Sequence, residues 1–491
     1  MLRKSPSIAG IQFTRMALMF ITLFYFSARF IHLLADFPTG INWSGDLFTD
    51  EGWYSNGAVR FMISGHWIVN GDFNPIINVP VFQFAALFGF KLLGLSILSA
   101  RIVELAFFSV LLGVTFLLIR LEWGDIPALL SLALICGDFL IFLYSRLAFL
   151  EIPMLTFVML ALFSYKKLQK ANLQIIVTSV ILFLATLTKT TAIFAITTFL
   201  FLLWTENIGL NEKVKRSVSF ILFYLMLYLI YLLFIYHNFR QDFEYFNTIN
   251  FSKRITPQIQ SIIENSFSIF RDLFNLHISI LWLSILAILF IVLVNRVILR
   301  NRWLVAIMLL IISYIGLLSI TSYHPPRYYI PLLFVLCTFC GISFGDFLAQ
   351  KTRNHFIRLL SILTICAFII VNSLSIFSYL SSPNYSFITM VRQVSKTILS
   401  SGQPSPLLIG PFANTISLES GIFSINSNLG LWDIRKKMET YQPTYFISFA
   451  NDNLINELSN RYVFSPVAEF RVLENYYNGN NIILYKITEV R

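Results

Sequence analysis

Two carboxylates stand side by side at Asp50 and Glu51, inside a stretch that runs from Phe48 to Trp67 after the first long apolar run. A carboxylate within reach of a hydroxyl can take its proton as a new bond forms at the oxygen, and Asp50 is the candidate for that base. Glu51 could bind an acceptor or a metal. Glu151, at the head of a later apolar run, is a third acid of catalytic type. Arg327 offers a planar fork matched to phosphate oxygens, with Tyr328 beside it, and Lys189 offers a mobile point charge. Together these residues could move a proton and neutralise an anionic leaving group.

Each of them also has a structural explanation. An aspartate ahead of a helix caps orphan backbone donors, and a first-turn glutamate is favoured by the helix dipole. Basic residues at span ends reach into the interface. Asp138 lies within an apolar run, where an ionisable group marks a functional site by default and a buried structural role serves equally well. Arg146 is near Glu151 in sequence and is expected to pair with it. Arg101 and Glu104, three apart, are expected to pair on one helix face. His66 and His324 flank the motifs without the ligand spacing of a zinc site. A divalent cation beside Asp50 and Glu51 is compatible with the sequence and not demanded by it. No cofactor is required.

The elements that must position these groups are apolar. Of 491 residues, 57% are hydrophobic and 12% charged, and mean hydropathy is +0.72. Soluble domains carry roughly 25% charged residues, so the chain is built for lipid. The net charge of +11 does not indicate nucleic acid, because the basic residues cluster between apolar runs as the positive-inside rule predicts. All four cysteines, Cys136, Cys337, Cys340 and Cys366, lie in apolar runs and form neither a disulfide framework nor a metal site. Residues 16–34 are too long for a signal-peptide core and lack a small-residue cleavage site, so they read as an uncleaved first span.

Residues 35–97 then form a non-cytoplasmic loop. In it Tyr54, Ala58, Phe61 and Met62 share one side of a helix expected to lie on the membrane surface. Placing Arg3 and Lys4, Lys166 and Lys167, Lys213, Arg296, Lys351 and Arg353 on one side gives about eleven spans. The segment 237–275 reads as a second sizeable outer loop. No internal repeat indicates an inverted-repeat transporter. After Ser381 the composition turns polar. Strands are expected at 407–410, 445–449, 467–473 and 482–485, and helices at 386–400 and 431–441. The expected fold is an all-α polytopic membrane domain, residues 1–381, followed by an extracytoplasmic α/β domain, residues 382–491.

The acid pair in the first outer loop, followed by a helix ending in Ser64, Gly65, His66 and Trp67, resembles the GT-C type of membrane glycosyltransferase. That type includes protein O-mannosyltransferases and aminoarabinose transferases. Three further pieces resemble its motifs in the same order. Ser145–Pro153 is similar to its second acidic motif, Leu187–Thr190 to a Thr-Lys-Gly motif with Thr190 in place of glycine, and Arg327–Pro331 to its late Arg-Tyr stretch. The segment Phe73–Pro80 departs from the aminoarabinose transferases in having no lysine, so phosphate binding falls to other groups.

The resemblance covers roughly residues 10–345 and implies transfer of a sugar from a polyprenyl-phosphate carrier to a glycan, lipid or protein acceptor. It implies inverting chemistry on the non-cytoplasmic face. A compact, cysteine-free outer domain favours a bacterial cytoplasmic membrane. The rival readings are a transporter or flippase for lipid-linked sugars, which predicts charged or broken helices near the midplane and a symmetric halving of the chain, and an inactive scaffold of the same fold.

Overall fold

The computed structural model describes residues 8–249, 258–293, 300–349, 355–472 and 481–489. Arg3, Lys4, Arg296, Lys351 and Arg353 of the charge pattern lie outside the described residues, as does the end of the strand expected at 467–473. The chain begins with α1 (Ile8–Ala28), α2 (Asp46–Ser64), α3 (Pro80–Leu93) and α4 (Ile97–Trp123). Next come α5 (Asp125–Gly137), α6 (Phe139–Tyr144), α7 (Glu151–Lys167), α8 (Ala171–Thr188) and α9 (Ile196–Trp204). Five further helices complete the apolar part: α10 (Leu210–Asn247), α11 (Ile259–Leu293), α12 (Arg302–Ser319), α13 (Ile330–Ala349) and α14 (His355–Ser381).

Among the described residues, seven helices are long and apolar enough to cross a membrane, from α4, α8 and α10 through to α14. The expected first span, 16–34, is found as α1, which ends at Ala28, and the other expected spans are shorter or interrupted. The run 126–143 is two helices meeting at Asp138, α7 has 17 residues, and Thr190–Ala195 is a 3-10 turn leading into α9. The expected loop 237–275 is helical where it is described. Helices α10 and α11 extend into it from its two ends, with non-helical kinks at Phe239 and His277.

Close packing explains the rigid centre. Helix α13 lies against α5 at Gly341 and Gly345, where a Cβ would come within 2.4 Å of Ser131 Cα and 2.5 Å of Pro127 Cα. Small residues four apart let two helices approach in lipid, where apolar burial between them offers little drive.

The C-terminal part is a mixed sheet with helices on both faces. It comprises α15 (Ser386–Ser400), β1 (Leu407–Ile409), α16 (Ala413–Ser420), β2 (Phe423–Ile425) and α17 (Ile434–Tyr441). Then follow β3 (Tyr445–Phe449), α18 (Asn453–Leu458), β4 (Tyr462–Phe470) and β5 (Ile482–Glu489). The strand order is β2-β1-β3-β5-β4. Strand β1 is parallel to β2 and β3, whereas β3–β5 and β5–β4 are antiparallel.

Alternate side chains serve two cores, as the pleat requires. Tyr445, Ile447, Ile482 and Leu484 pack with α15, α16 and the membrane-side helices α2 and α3. Phe446 and Tyr485 pack with Ile434 and Met438 of α17. The sheet is therefore docked on the helical domain by one face.

This docking corrects the expectation for α2. Thirteen of its nineteen residues are buried, including Asp50, Glu51 and Arg60, while Met62 is exposed. It is not an amphipathic helix on a lipid surface but a helix enclosed between the membrane domain and the C-terminal domain.

Candidate active site

Helix α2 starts at Asp46, so Asp46, Asp50 and Tyr54 follow one another at one-turn spacing on a single face. Asp50 thus lies one turn inside the helix and does not cap it. Facing it is Arg327, held in a 3-10 turn, Pro326–Tyr329, that leads into α13. The guanidinium pairs with the Asp50 carboxylate through Nη1, and its Nε lies 3.1 Å from Asp46 Oδ2 and 3.8 Å from Glu151 Oε1. Lys189 Nζ pairs with Glu151 and sits 4.1 Å from the centre of the Tyr328 ring. The extended backbone of Lys189 (φ −155°, ψ 124°), between α8 and the 3-10 turn, is what separates the two helical segments there.

Glu151 is the first residue of α7, as a dipole-favoured acid would be. Its Oε2 is buried and accepts no hydrogen bond. Five residues singled out by the sequence, Asp50, Glu151, Lys189, Arg327 and Tyr328, are therefore brought into one cluster from four chain segments.

The cluster borders a cleft of about 390 Å³. Asp46, Asp50, Tyr54, Arg327 and Tyr328 line one side, and Phe73 and Phe246 flank it. Pro411, Asn428 and Leu429 of the C-terminal domain complete the wall. Asp46 was not singled out by the sequence, although its position four residues before Asp50 is a periodic signal that would have found it. Burial pushes the Asp46 carboxyl up to about 6. The Arg327 guanidinium pulls it back down, and Asp50 and Glu151 act in the same direction as burial.

The other candidates sit elsewhere. Glu51 points away from the cleft and holds Arg101 with two bonds, 2.9 and 2.6 Å, while accepting the Ala148 amide at 2.9 Å. The expected Arg101–Glu104 pair is therefore not formed. Arg101 goes to Glu51, and both Glu104 oxygens are buried without a hydrogen bond.

Arg146 does not pair with Glu151 either. It donates to the carbonyls of Ile31 (2.7 Å) and His32 (2.5 Å) and lies over the Phe142 and Tyr379 rings. Asp138 caps α6 through the Ile141 amide at 2.9 Å and bonds His277 Nε2 at 2.6 Å, which ties two helix breaks together inside the apolar domain. His66 is exposed, with Nδ1 2.9 Å from Ser64 O, and buried His324 bonds Leu318 O at 2.9 Å. Among the described residues, no group of three or more His, Cys, Asp or Glu side chains is arranged to hold a metal ion.

Over 98% of its length the chain superimposes on 98% of ArnT from Cupriavidus metallidurans bound to undecaprenyl phosphate, with a TM-score of 0.63 at 12% identity. Over 90% of its length it matches 70% of the archaeal oligosaccharyltransferase AglB from Archaeoglobus fulgidus, with a TM-score of 0.56 at 11% identity.

At this level of identity the likeness is one of fold. Residues 75–243 also match the family model for dolichyl-phosphate-mannose-protein mannosyltransferase. That segment contains Glu151 and Lys189 but neither Asp50 nor Arg327. None of the curated sequences matches the chain. The shared fold takes in the apolar helices and the C-terminal domain alike, since the first match covers 98% of this chain.

Proposed function

We propose that the protein is an integral membrane glycosyltransferase that moves a sugar from a polyprenyl-phosphate carrier to a hydroxyl-bearing glycan, lipid or protein acceptor. The reaction takes place on the non-cytoplasmic face of a bacterial cytoplasmic membrane. The observation that carries this reading is the meeting of Asp50 with Arg327, 277 residues apart in sequence, at the wall of a cleft between the membrane helices and the C-terminal domain.

The chemistry follows from the charges. Three carboxylates, Asp46, Asp50 and Glu151, surround the two cations Arg327 and Lys189. A lipid phosphate entering the cleft competes with Asp50 for Arg327, and the cation that neutralises the phosphate thereby frees the carboxylate. The acceptor oxygen attacks the anomeric carbon while the bond from that carbon to the phosphate oxygen breaks. The departing electron pair stays on the polyprenyl phosphate, neutralised by Arg327 and Lys189, and the acceptor proton passes to Asp50. A single displacement of this kind inverts the anomeric centre. Arg327 and Lys189 supply positive charge at the leaving phosphate, and the steps written here require no cofactor, while a divalent cation beside Asp50 stays compatible with them.

The test is release of free polyprenyl phosphate from a panel of polyprenyl-phosphate sugars in lipid nanodiscs, with cell-envelope extract as acceptor source. Asp50→Asn is expected to lower turnover by at least a hundredfold, within the roughly 10²–10⁴-fold range of a general base, while still binding the donor. Turnover equal to wild type would remove Asp50 as the base.

A further inference from the structure

The C-terminal domain reaches the cleft at Pro411 and through the turn that carries Asn428 and Leu429. Asn428 and Leu429 line the cleft beside Asp50 and Arg327, and Asn428 also borders an open groove of about 610 Å³ flanked by Trp432 and Asp452. Residues 426–433 contain neither helix nor strand, so backbone ladders do not fix the turn in place. Side chains fix it instead. Lys437, fully buried on α17, donates to Asn426 O at 2.7 Å and to Leu429 O, and lies 3.0 Å from Asp72 Oδ1.

Asp72 belongs to the loop after α2. It accepts the Asn426 amide at 3.1 Å and pairs with Arg60 of α2, which also bonds Asn74 Oδ1 at 2.8 Å. Backbone bonds reinforce the joint, with the Trp432 amide reaching Gly71 O at 2.9 Å and the Gly430 amide reaching the Tyr245 hydroxyl at 2.8 Å.

Arg60, Asp72 and Lys437 are 2%, 1% and 0% exposed. Buried charges of this kind rarely improve stability over apolar packing, and here they join the turn, the loop after α2 and α2 itself. The geometry here is specific. Lys437 draws two carbonyls of one turn towards a carboxylate, and that carboxylate is tied by Arg60 to the helix that carries Asp46 and Asp50. We propose that the turn Asn426–Trp432 is the acceptor-selecting wall of the cleft, and that Lys437 is the positioning residue that holds it there through Asp72 and Arg60. The acceptor role rests on the glycosyl-transfer reading, whereas the positioning role does not.

The test compares full-length wild type, Lys437→Met and Asn428→Ala in nanodiscs. Hydrogen exchange is followed over 426–432, and polyprenyl phosphate release is titrated separately with donor and with a cell-envelope glycolipid fraction as acceptor. In Lys437→Met, exchange over 426–432 should rise at least tenfold with α2 unchanged. Half-saturation by acceptor should rise at least fivefold while that by donor stays put. Asn428→Ala should raise acceptor half-saturation with no change in exchange.

Unchanged exchange over 426–432 in Lys437→Met would overturn the positioning role. So would a rise spread over the whole chain, which would make Lys437 a residue of general stability. Asn428→Ala with acceptor half-saturation unmoved, or moving together with that of donor, would overturn the acceptor wall. Wild type that releases no polyprenyl phosphate would sink the glycosyl-transfer reading and the acceptor role with it, leaving the positioning role to the exchange result alone.

Discussion

The adjacent acids Asp50 and Glu51 look equivalent in sequence and are opposite in placement. On a helix, successive side chains point about 100° apart, so if one faces the cleft the other cannot. Asp50 meets Arg327, whereas Glu51 is fully engaged with Arg101 and the Ala148 amide. Glu51→Gln would leave the Arg101 guanidinium buried without a counter-charge, at a cost of about 3–5 kcal/mol. Glu104→Gln breaks no ion pair or hydrogen bond and should cost far less. Thermal unfolding of the two variants in detergent separates these outcomes, and equal melting points would refute the assignment of Arg101 to Glu51. Asp46 supplies a pH signature. Its folded pKa of about 6 lies above its unfolded value, so its favourable contribution is fully present below the unfolded value and is lost as pH rises through 6. The penalty on its charged form corresponds to about 3 kcal/mol. Melting curves of wild type and Asp46→Asn should therefore diverge between pH 4 and 7 in favour of the variant at the higher pH. Parallel curves would mean that Asp46 is not held under this penalty.

At the scale of elements, local signals were legible and distant partners were not. The helix at 386–400 and the strand at 445–449 follow from periodicity alone and are found at those residues. Helix α17 starts at Ile434 rather than 431, because Asp433 caps it by accepting the Lys436 amide at 2.8 Å. Strand β2 carries no readable pattern, since three residues are too few for an alternation and its place is set by parallel pairing with β1. Asp138 was visible as a polar residue in an apolar run, but its partner His277 lies 139 residues away at a helix kink that no local signal marks. The same limit applied to the site. Asp50, Glu151, Lys189 and Arg327 could be chosen by type and by their positions at span ends, yet Asn428 and Leu429 come from an irregular turn whose position depends on burying Lys437. The surface placement of α2 failed for a related reason. Amphipathicity reports that one face is apolar, not whether lipid or a second domain covers the other.

At the scale of the molecule, the site exists where two domains close on one helix, and Gly52 is a point of close backbone approach. A Cβ there would come within 2.4 Å of Thr415 N and 2.6 Å of Asn414 C, both backbone atoms that cannot rotate aside. The same contact brings the Thr415 hydroxyl to Phe48 O at 2.6 Å. Intrinsic propensity alone favours alanine over glycine in a helix by about 1 kcal/mol. Overpacking a tight contact costs about 1–3 kcal/mol, so the steric term should equal or exceed that gain. Gly52→Ala is therefore expected to melt below wild type and to speed exchange at the Thr415 amide by lifting α16 from α2. Gly113→Ala is the control, because Gly113 lies within α4 with nothing within 4 Å of its added methyl, so propensity should act unopposed. If Gly52→Ala melted as high as Gly113→Ala, the contact between α2 and α16 would be loose. The cleft would then be a feature of the membrane helices alone, and its C-terminal wall would be free to lift away from Asp50.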